Sequence, residues 1–427
     1  MLRRVRAALL VLVVLAVPRV LRAQELTLDQ VVRLALARNE RARIAQLGVT
    51  SAEAGVTKAR AGLLPSVTLS GGETLRPYTV EQNGRIVSRS NAASGTLSVT
   101  QPLLAASAFP LLSSAKHSRA AARLTEVDQR RQLCFDAARA FFGVVAQQRL
   151  LAAAKRRLQQ AEATLADTHA RVVAQLASSN DETRGMVERA SAIQSVAAAQ
   201  GALEQSRISL EYVLDSPVTG ELHTPELSLV PPSFDAAALG SQALAQRPDL
   251  ASANESIAAA NASAQEPSLR LIPTISAQGQ ERVADQPIAG TRYTDTTLQL
   301  TLNWQIWDAG SRSADEQTRK AVAATATLQM QALRRKIQAD VRSAVASLTA
   351  ARAGLEAAQQ GVDAATRSAQ ETAVLYKQGL AKAIELFNAS QSRFDAEVSL
   401  AAAQLSVRQA ELDLRSALGL FPIDGVQ

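Results

Sequence analysis

The sequence predicts a mainly α-helical protein with a smaller β portion, built as two copies of one β-β-α-α plan. Three observations carry this: two long proline-free stretches, four short runs of alternating residues, and a register in which the second half repeats the first.

No proline lies between Leu111 and Ser216 or between Ile288 and Phe421. Within the second stretch Leu328, Ala332, Ile337, Val341, Val345 and Leu348 recur at three- to five-residue spacings with polar residues between them, the pattern of an amphipathic helix. Each stretch is broken once, at 177–181 and at 378–381, so each reads as a helical hairpin, over about 107–215 and 310–419. A helix running from Gly310 to Tyr376 would be about 100 Å long, far beyond the width of a compact domain.

Alternation with period two marks strands near 66–75, 94–101, 273–281 and 296–304. Asn83-Gly84, a hairpin signal, lies between the first two, and Pro287 and Gly290 lie between the last two. Leu36-Ala37 matches Leu244-Ala245 and Leu64-Pro65 matches Ile272-Pro273 at an offset of 208; Leu97 matches Leu300 at 203, and Leu176 matches Leu380 at 204. The repeats span about 26–218 and 236–420, which is duplication of a whole half rather than a solenoid of short units.

Arg3, Arg4 and Arg6 precede the apolar run Ala7 to Val17 and a small residue at Ala23, the layout of a secretory signal peptide over 1–23. That run of 11 residues is too short to span a bilayer as a helix. The five arginines of this segment account for most of the basic balance, and without them the formal charge falls from +7 to +2. The remaining Lys and Arg are interspersed with Asp, Glu and Gln rather than clustered on one face with aromatics to stack on, which argues against a nucleic-acid partner. Cys134 is the only cysteine, so there is no intramolecular disulfide and no cysteine metal cluster, and His117, His169 and His223 have no zinc-binding spacing. No nucleophile elbow, phosphate loop or dinucleotide fingerprint is present, so the chain reads as a non-enzyme without cofactor or metal.

Hydrophobic residues make up 47% of the chain but aromatics only 3%, so the apolar content is mostly Ala, Leu and Val, suited to closely packed helices. No segment after residue 23 is apolar enough for a transmembrane helix, so entry into a membrane would be as strands. Four strands cannot close a barrel, whereas a homotrimer supplies twelve, continued by a long α-helical barrel of hairpins. Trp304 and Trp307 stand where such a barrel would meet the lipid interface.

Several phrases resemble the outer-membrane efflux proteins of the TolC type (outer membrane factors). They are Leu26-Thr-Leu-Asp-Gln-Val-Val-Arg-Leu-Ala-Leu36, Ala61-Gly-Leu-Leu-Pro-Ser66, Ala243-Leu-Ala-Gln-Arg-Pro-Asp-Leu250, Leu302-Asn-Trp-Gln-Ile-Trp-Asp-Ala-Gly310 and Tyr376-Lys-Gln-Gly-Leu-Ala381. The resemblance runs from about Leu26 to Gly419. It implies a homotrimeric outer-membrane exit channel reaching into the periplasm of a Gram-negative cell. The implied partners are a periplasmic adaptor (membrane fusion) protein and an inner-membrane pump of the RND or ABC kind.

The family's adaptor-contacting turn maps onto Gly379, Leu380 and Ala381; the first hairpin departs from it, with Gln175 before Leu176 and Ala177. An acid lies one turn beyond each tip, Asp181 and Glu385. The resemblance makes Glu385 and Asn388 the acidic positions of a pore constriction and Tyr376 its aromatic one, with Asn388 departing from the expected acid. Converging carboxylates would favour cations. The cargo is open, as are two alternatives: the channel of a type I protein secretion system, and a pore-free periplasmic coiled-coil scaffold.

Overall fold

The computed structural model describes residues 26–218, 220, 222, 235–285, 293–423 and 425. The signal segment, His223, Pro287 and Gly290 lie outside them. The first half comprises α1 (Leu28–Arg38), α2 (Glu40–Ala61), β1 (Ser66–Leu75), β2 (Val80–Gln82), β3 (Arg85–Ser88), β4 (Asn91–Leu104), α3 (Ala108–Val173) and α4 (Ser179–Leu214). The second comprises α5 (Ala236–Gln246), α6 (Pro248–Ala264), α7 (Glu266–Leu269), β5 (Thr274–Ala284), β6 (Thr294–Asn303), α8 (Ser311–Lys377) and α9 (Ala383–Ala417).

This corrects the β-β-α-α plan, because each half opens with a pair of helices before its strands, followed in the second half by the single turn of α7. Local chemistry sets those pairs. Thr27 and Gln30 form a reciprocal capping box at the start of α1. Asn39 ends α1 in extended conformation and caps α2, its side chain accepting from the Arg41 amide at 2.9 Å. In the second half Arg247 makes the same break and Pro248 starts α6 at the position where a missing N–H costs nothing.

The two break residues also do equivalent work at a distance. Asn39 Nδ2 donates to the Val213 carbonyl at 2.8 Å, and Arg247 Nη1 donates to the Ala417 carbonyl at 3.3 Å. Each ties the start of its half to the last turn of its hairpin, where carbonyls have no helical partner. Above each clasp lies an apolar core. One gathers Leu28, Val31, Leu133, Phe135, Phe141, Leu210 and Leu214, with the Phe141 and Phe142 rings edge to face at 5.5 Å. The other gathers Ala243, Leu250, Ile337, Val341, Leu348 and Leu414.

The sheet order is β1-β4-β5-β6, all antiparallel, and the halves join at β4 and β5. β1 is exposed along its whole length and β6 almost so, and both are edges without a partner strand among the described residues. A sheet with neither face covered nor edges closed is not the core of a single chain. Asn83 and Gly84, with φ of 52° and 72°, turn the short β2-β3 hairpin that extends beyond the main sheet, in keeping with the Asn-Gly hairpin signal. Away from the sheet, α3 with α4 and α8 with α9 run as paired hairpins, with α3 packed on α9. Among the described residues no helix is long and apolar enough to cross a membrane.

Candidate functional site

Both hairpins end in the same backbone device. Gln175 and Gly379 take left-handed φ of 57° and 78°. The next amide reaches back to the helix, from Leu176 to the Arg171 carbonyl at 2.8 Å and from Leu380 to the Leu375 carbonyl at 2.9 Å. The inner bonds of the motif, Gln175 to Val172 and Gly379 to Tyr376, are 2.9 and 3.0 Å. These are Schellman terminations, which glycine adopts freely and glutamine at a cost of about 1 kcal/mol or more. The geometry thrusts Leu176 and Leu380 outward, 78% and 74% exposed, while Ala177 and Ala381 are half-buried behind them.

The return helices start differently. Ser178 and Asp181 form a capping box, the Asp181 carboxylate accepting from the Ser178 amide at 3.3 Å and its hydroxyl at 2.9 Å. Asp181 therefore has a structural task in addition to its charge. Its counterpart Glu385 is exposed in the first turn of α9, which Lys382 starts without a side-chain cap, and Asn388 is exposed one turn further on. An acid in a first helical turn complements the positive end of the helix dipole.

Tyr376 is buried, at 6% exposure, in a small core with Ala383, Leu386 and Phe387. Its hydroxyl lies 3.0 Å from Thr168 Oγ1 on α3. Thr168 already donates to the Thr164 carbonyl at 2.9 Å, so the tyrosine is the donor. The Arg171 guanidinium stacks 4.7 Å from the Tyr376 ring centroid and donates to the Tyr376 and Lys377 carbonyls, both at 3.2 Å. Within the chain Tyr376 thus faces the other hairpin and ties the two tips together. Thr168 and Arg171 were missed in the sequence, since neither differs in type from the surface residues of any long helix.

Higher up, Arg157 is enclosed by Glu188, Ser191 and Ser195 of α4, at 3.0 to 3.2 Å, and lies 4.9 Å from the Phe394 ring of α9. Cys134 sits in the core, where burial pushes its thiol up to about 12 and leaves it protonated and unreactive. His117 pairs with Glu255 and His169 with Glu182, both at 2.7 Å, and no cluster of potential metal ligands occurs among the described residues.

The sequence profile of the outer membrane efflux protein family matches residues 31–215 and 239–420, both halves of the duplication. The chain belongs to that family. The efflux protein shares its fold with solved channels of low sequence identity. The CmeC outer membrane channel of Campylobacter jejuni superposes with a TM-score of 0.80 at 16% identity, over 92% of this chain and 85% of that one. VceC of Vibrio cholerae gives 0.78 at 16% over 93% and 97%, and the open state of the MtrE channel of Neisseria gonorrhoeae gives 0.77 at 20% over 92% and 89%. No curated protein sequence matches significantly. Its family is one of transport conduits rather than enzymes.

In this efflux protein Trp304 and Trp307 lie in the connection between β6 and α8, 54% and 82% exposed, with Trp304 Nε1 donating to the Leu271 carbonyl at 3.0 Å. Neither packs in a core of the chain. An indole with one satisfied N–H and an open ring face suits the boundary between lipid and water.

Proposed function

We propose that this efflux protein is the outer-membrane exit channel of a tripartite pump, a homotrimer whose strands close a twelve-stranded barrel and whose hairpins continue it into the periplasm. The observation that carries this is the uncovered four-stranded sheet with two free edges above two hairpins of about 100 Å. A pore-free scaffold would leave that sheet without a role. Leu176 and Leu380, with Ala177, Ala381 and the Gln175 and Gly379 turns, form the surface offered to a periplasmic adaptor, and an inner-membrane pump supplies the energy. Glu385 and Asp181 set the charge of the narrow end, Asn388 lines it with a neutral amide, Tyr376 supports it from behind, and Trp304 and Trp307 sit at the lipid interface. The hairpins part at their tips to open.

The test is single-channel recording of the detergent-extracted protein, with its mass measured on the same sample. A trimer with cation-selective conductance that loses selectivity in Glu385→Ala is expected. A soluble species without conductance would overturn the channel reading, and unchanged selectivity would remove Glu385 from the constriction.

A further inference from the structure

The strand register divides the sheet into two unlike faces, because residues paired across strands point the same way and neighbours along a strand point opposite ways. Along β6 one face takes Thr296, Leu298, Leu300 and Leu302, and the other takes Asp295, Thr297, Gln299, Thr301 and Asn303. Followed across the pairs, the first face continues through Ile275 of β5, Leu97 and Val99 of β4, and Val67 and Leu69 of β1. The second continues through Gln278 and Gln280 of β5, Ser98 and Thr100 of β4, and Ser66 and Thr68 of β1. In a closed membrane barrel the apolar face meets lipid and the polar face lines the lumen.

The polar face is almost free of charge. Among the strand residues on it only Arg282 and Asp295 are ionic, directly opposite one another in the β5-β6 register and both exposed. Their equivalents on the duplicated rung of β1 and β4 are Thr74 and Ala92. Arg76, just past β1, joins the same face, because its amide donates to the Ser90 carbonyl at 2.6 Å and prolongs the β1-β4 ladder by one rung. Its Nη1 donates to the Arg89 carbonyl at 3.4 Å. All three residues stand at the end of the sheet away from the helices, since β1 starts next to α2 at Ser66 and β6 leads toward α8 from Asn303.

The other acids of this end are turned to the apolar face. Glu281 accepts from the Thr296 hydroxyl, and Asp285, just past β5, accepts from the Ala93 amide at 2.9 Å. Glu73 pairs with Ala93 in the register and so shares that face. The backbone of the sheet thus separates these carboxylates from Arg76 and Arg282. The connection from β1 to β4, residues 76–90, carries Arg76, Arg85 and Arg89 against Glu81 alone, so the segment that crowns this end is also basic.

We propose that the far end of the lumen is a basic collar, made by Arg76 and Arg282 of each copy, that draws polyvalent anions to the outer mouth and holds external cations back. Its sign is opposite to that of the acids at the hairpin tips. Like charges converging on an aqueous pore act together on one multivalent ion. Asp295 offsets one of the two guanidinium charges that each copy presents on this face. The collar rests on the channel reading and adds to it a second selectivity element at the opposite end.

Side-specific block of single channels tests it, with inorganic tripolyphosphate as the probe. Protein added to one chamber of a planar bilayer keeps its hairpins of about 100 Å there, so the opposite chamber faces the collar. Tripolyphosphate in that chamber should block the wild type at a concentration about tenfold below that needed for Arg76→Gln with Arg282→Gln. Arg282→Lys, which keeps the charge, should retain the block, and Asp295→Asn should strengthen it. Absence of block in the wild type, equal block of the wild type and the double variant, or block from the hairpin side alone overturns the collar while leaving the channel standing. Absence of conductance in every protein overturns both. If the double variant fails to insert, Asp295→Asn decides, and an unchanged or higher blocking concentration overturns the proposal.

Discussion

Tyr376→Phe removes one hydroxyl from the contact between the hairpin tips and little else. The lost bond is the one Tyr376 donates to Thr168 at 3.0 Å, and Thr168 keeps its own bond to the Thr164 carbonyl. Such a bond contributes about 1 kcal/mol. In the proposed trimer three latches act on one aperture, so the closed arrangement loses about 3 kcal/mol and the open fraction rises roughly a hundredfold. Arg171→Ala removes the stacking on the ring and both carbonyl bonds, and should open the channel further. The assay is open probability in single-channel records at fixed voltage, with assembly and heat resistance of the trimer as controls. If both variants keep the wild-type open fraction in intact trimers, the Tyr376 contact does not restrain the tips and the reasoning fails.

Three further outcomes are expected. Gln175→Gly should relieve the left-handed backbone at the first tip and stabilise it by about 1 kcal/mol, read as slower hydrogen exchange at the amides of Gln175 and Leu176. Gly419→Ala should be severe, because Gly419 has φ of 81° and a Cβ there would lie 3.0 Å from Arg247 Cα; a loss of about 2 kcal/mol or more, visible as reduced trimer yield and lower heat resistance, is the expected result. Burial alone would raise the Asp249 carboxyl, but the hydrogen bonds and charge of Arg247 outweigh it and hold the group below the usual range. A depressed carboxyl stabilises above its unfolded value, about 4, and that contribution is lost as pH falls through the folded value, so Asp249→Asn should blunt acid loosening below about pH 4 in a pH series of thermal melts.

The long helices and the strand alternation were legible because both are periodic over many residues: Ile337, Val341 and Leu348 announce one face of α8, and the absence of proline protects it. The turn at Gln378 to Ala381 was legible because Gly379 is a backbone requirement written in one letter. The opening helical pairs were harder to read. α1 and α2 are separated only by Asn39, whose side chain both caps one helix and reaches Val213 across 174 positions, a contact no local pattern encodes. At the tips, the sequence marks Tyr376 by its aromatic type but carries no sign of which way the ring points. Its orientation depends on Thr168 and Arg171, which sit on a different hairpin more than 200 residues away in the chain.

The two hairpins began as copies, so the places where they differ bear on which one moves. The first tip is held by a capping box at Ser178 and Asp181, by the His169 to Glu182 pair, and by Arg157, which binds three residues of α4. The second has no side-chain cap at Lys382, and the exposed Glu385 carboxylate has no side-chain partner among the described residues. Its tether is the grip of Arg171 and Thr168 on Tyr376, and both of those residues belong to α3 of the first hairpin. A tip with internal staples moves as a rigid piece, whereas a tip restrained through its neighbour is released when that neighbour lets go. In the proposed channel we therefore expect the second hairpin to be the one that moves. Removing its tether should increase hydrogen exchange in the first turn of α9 more than in the first turn of α4, and equal increases in both would contradict the assignment.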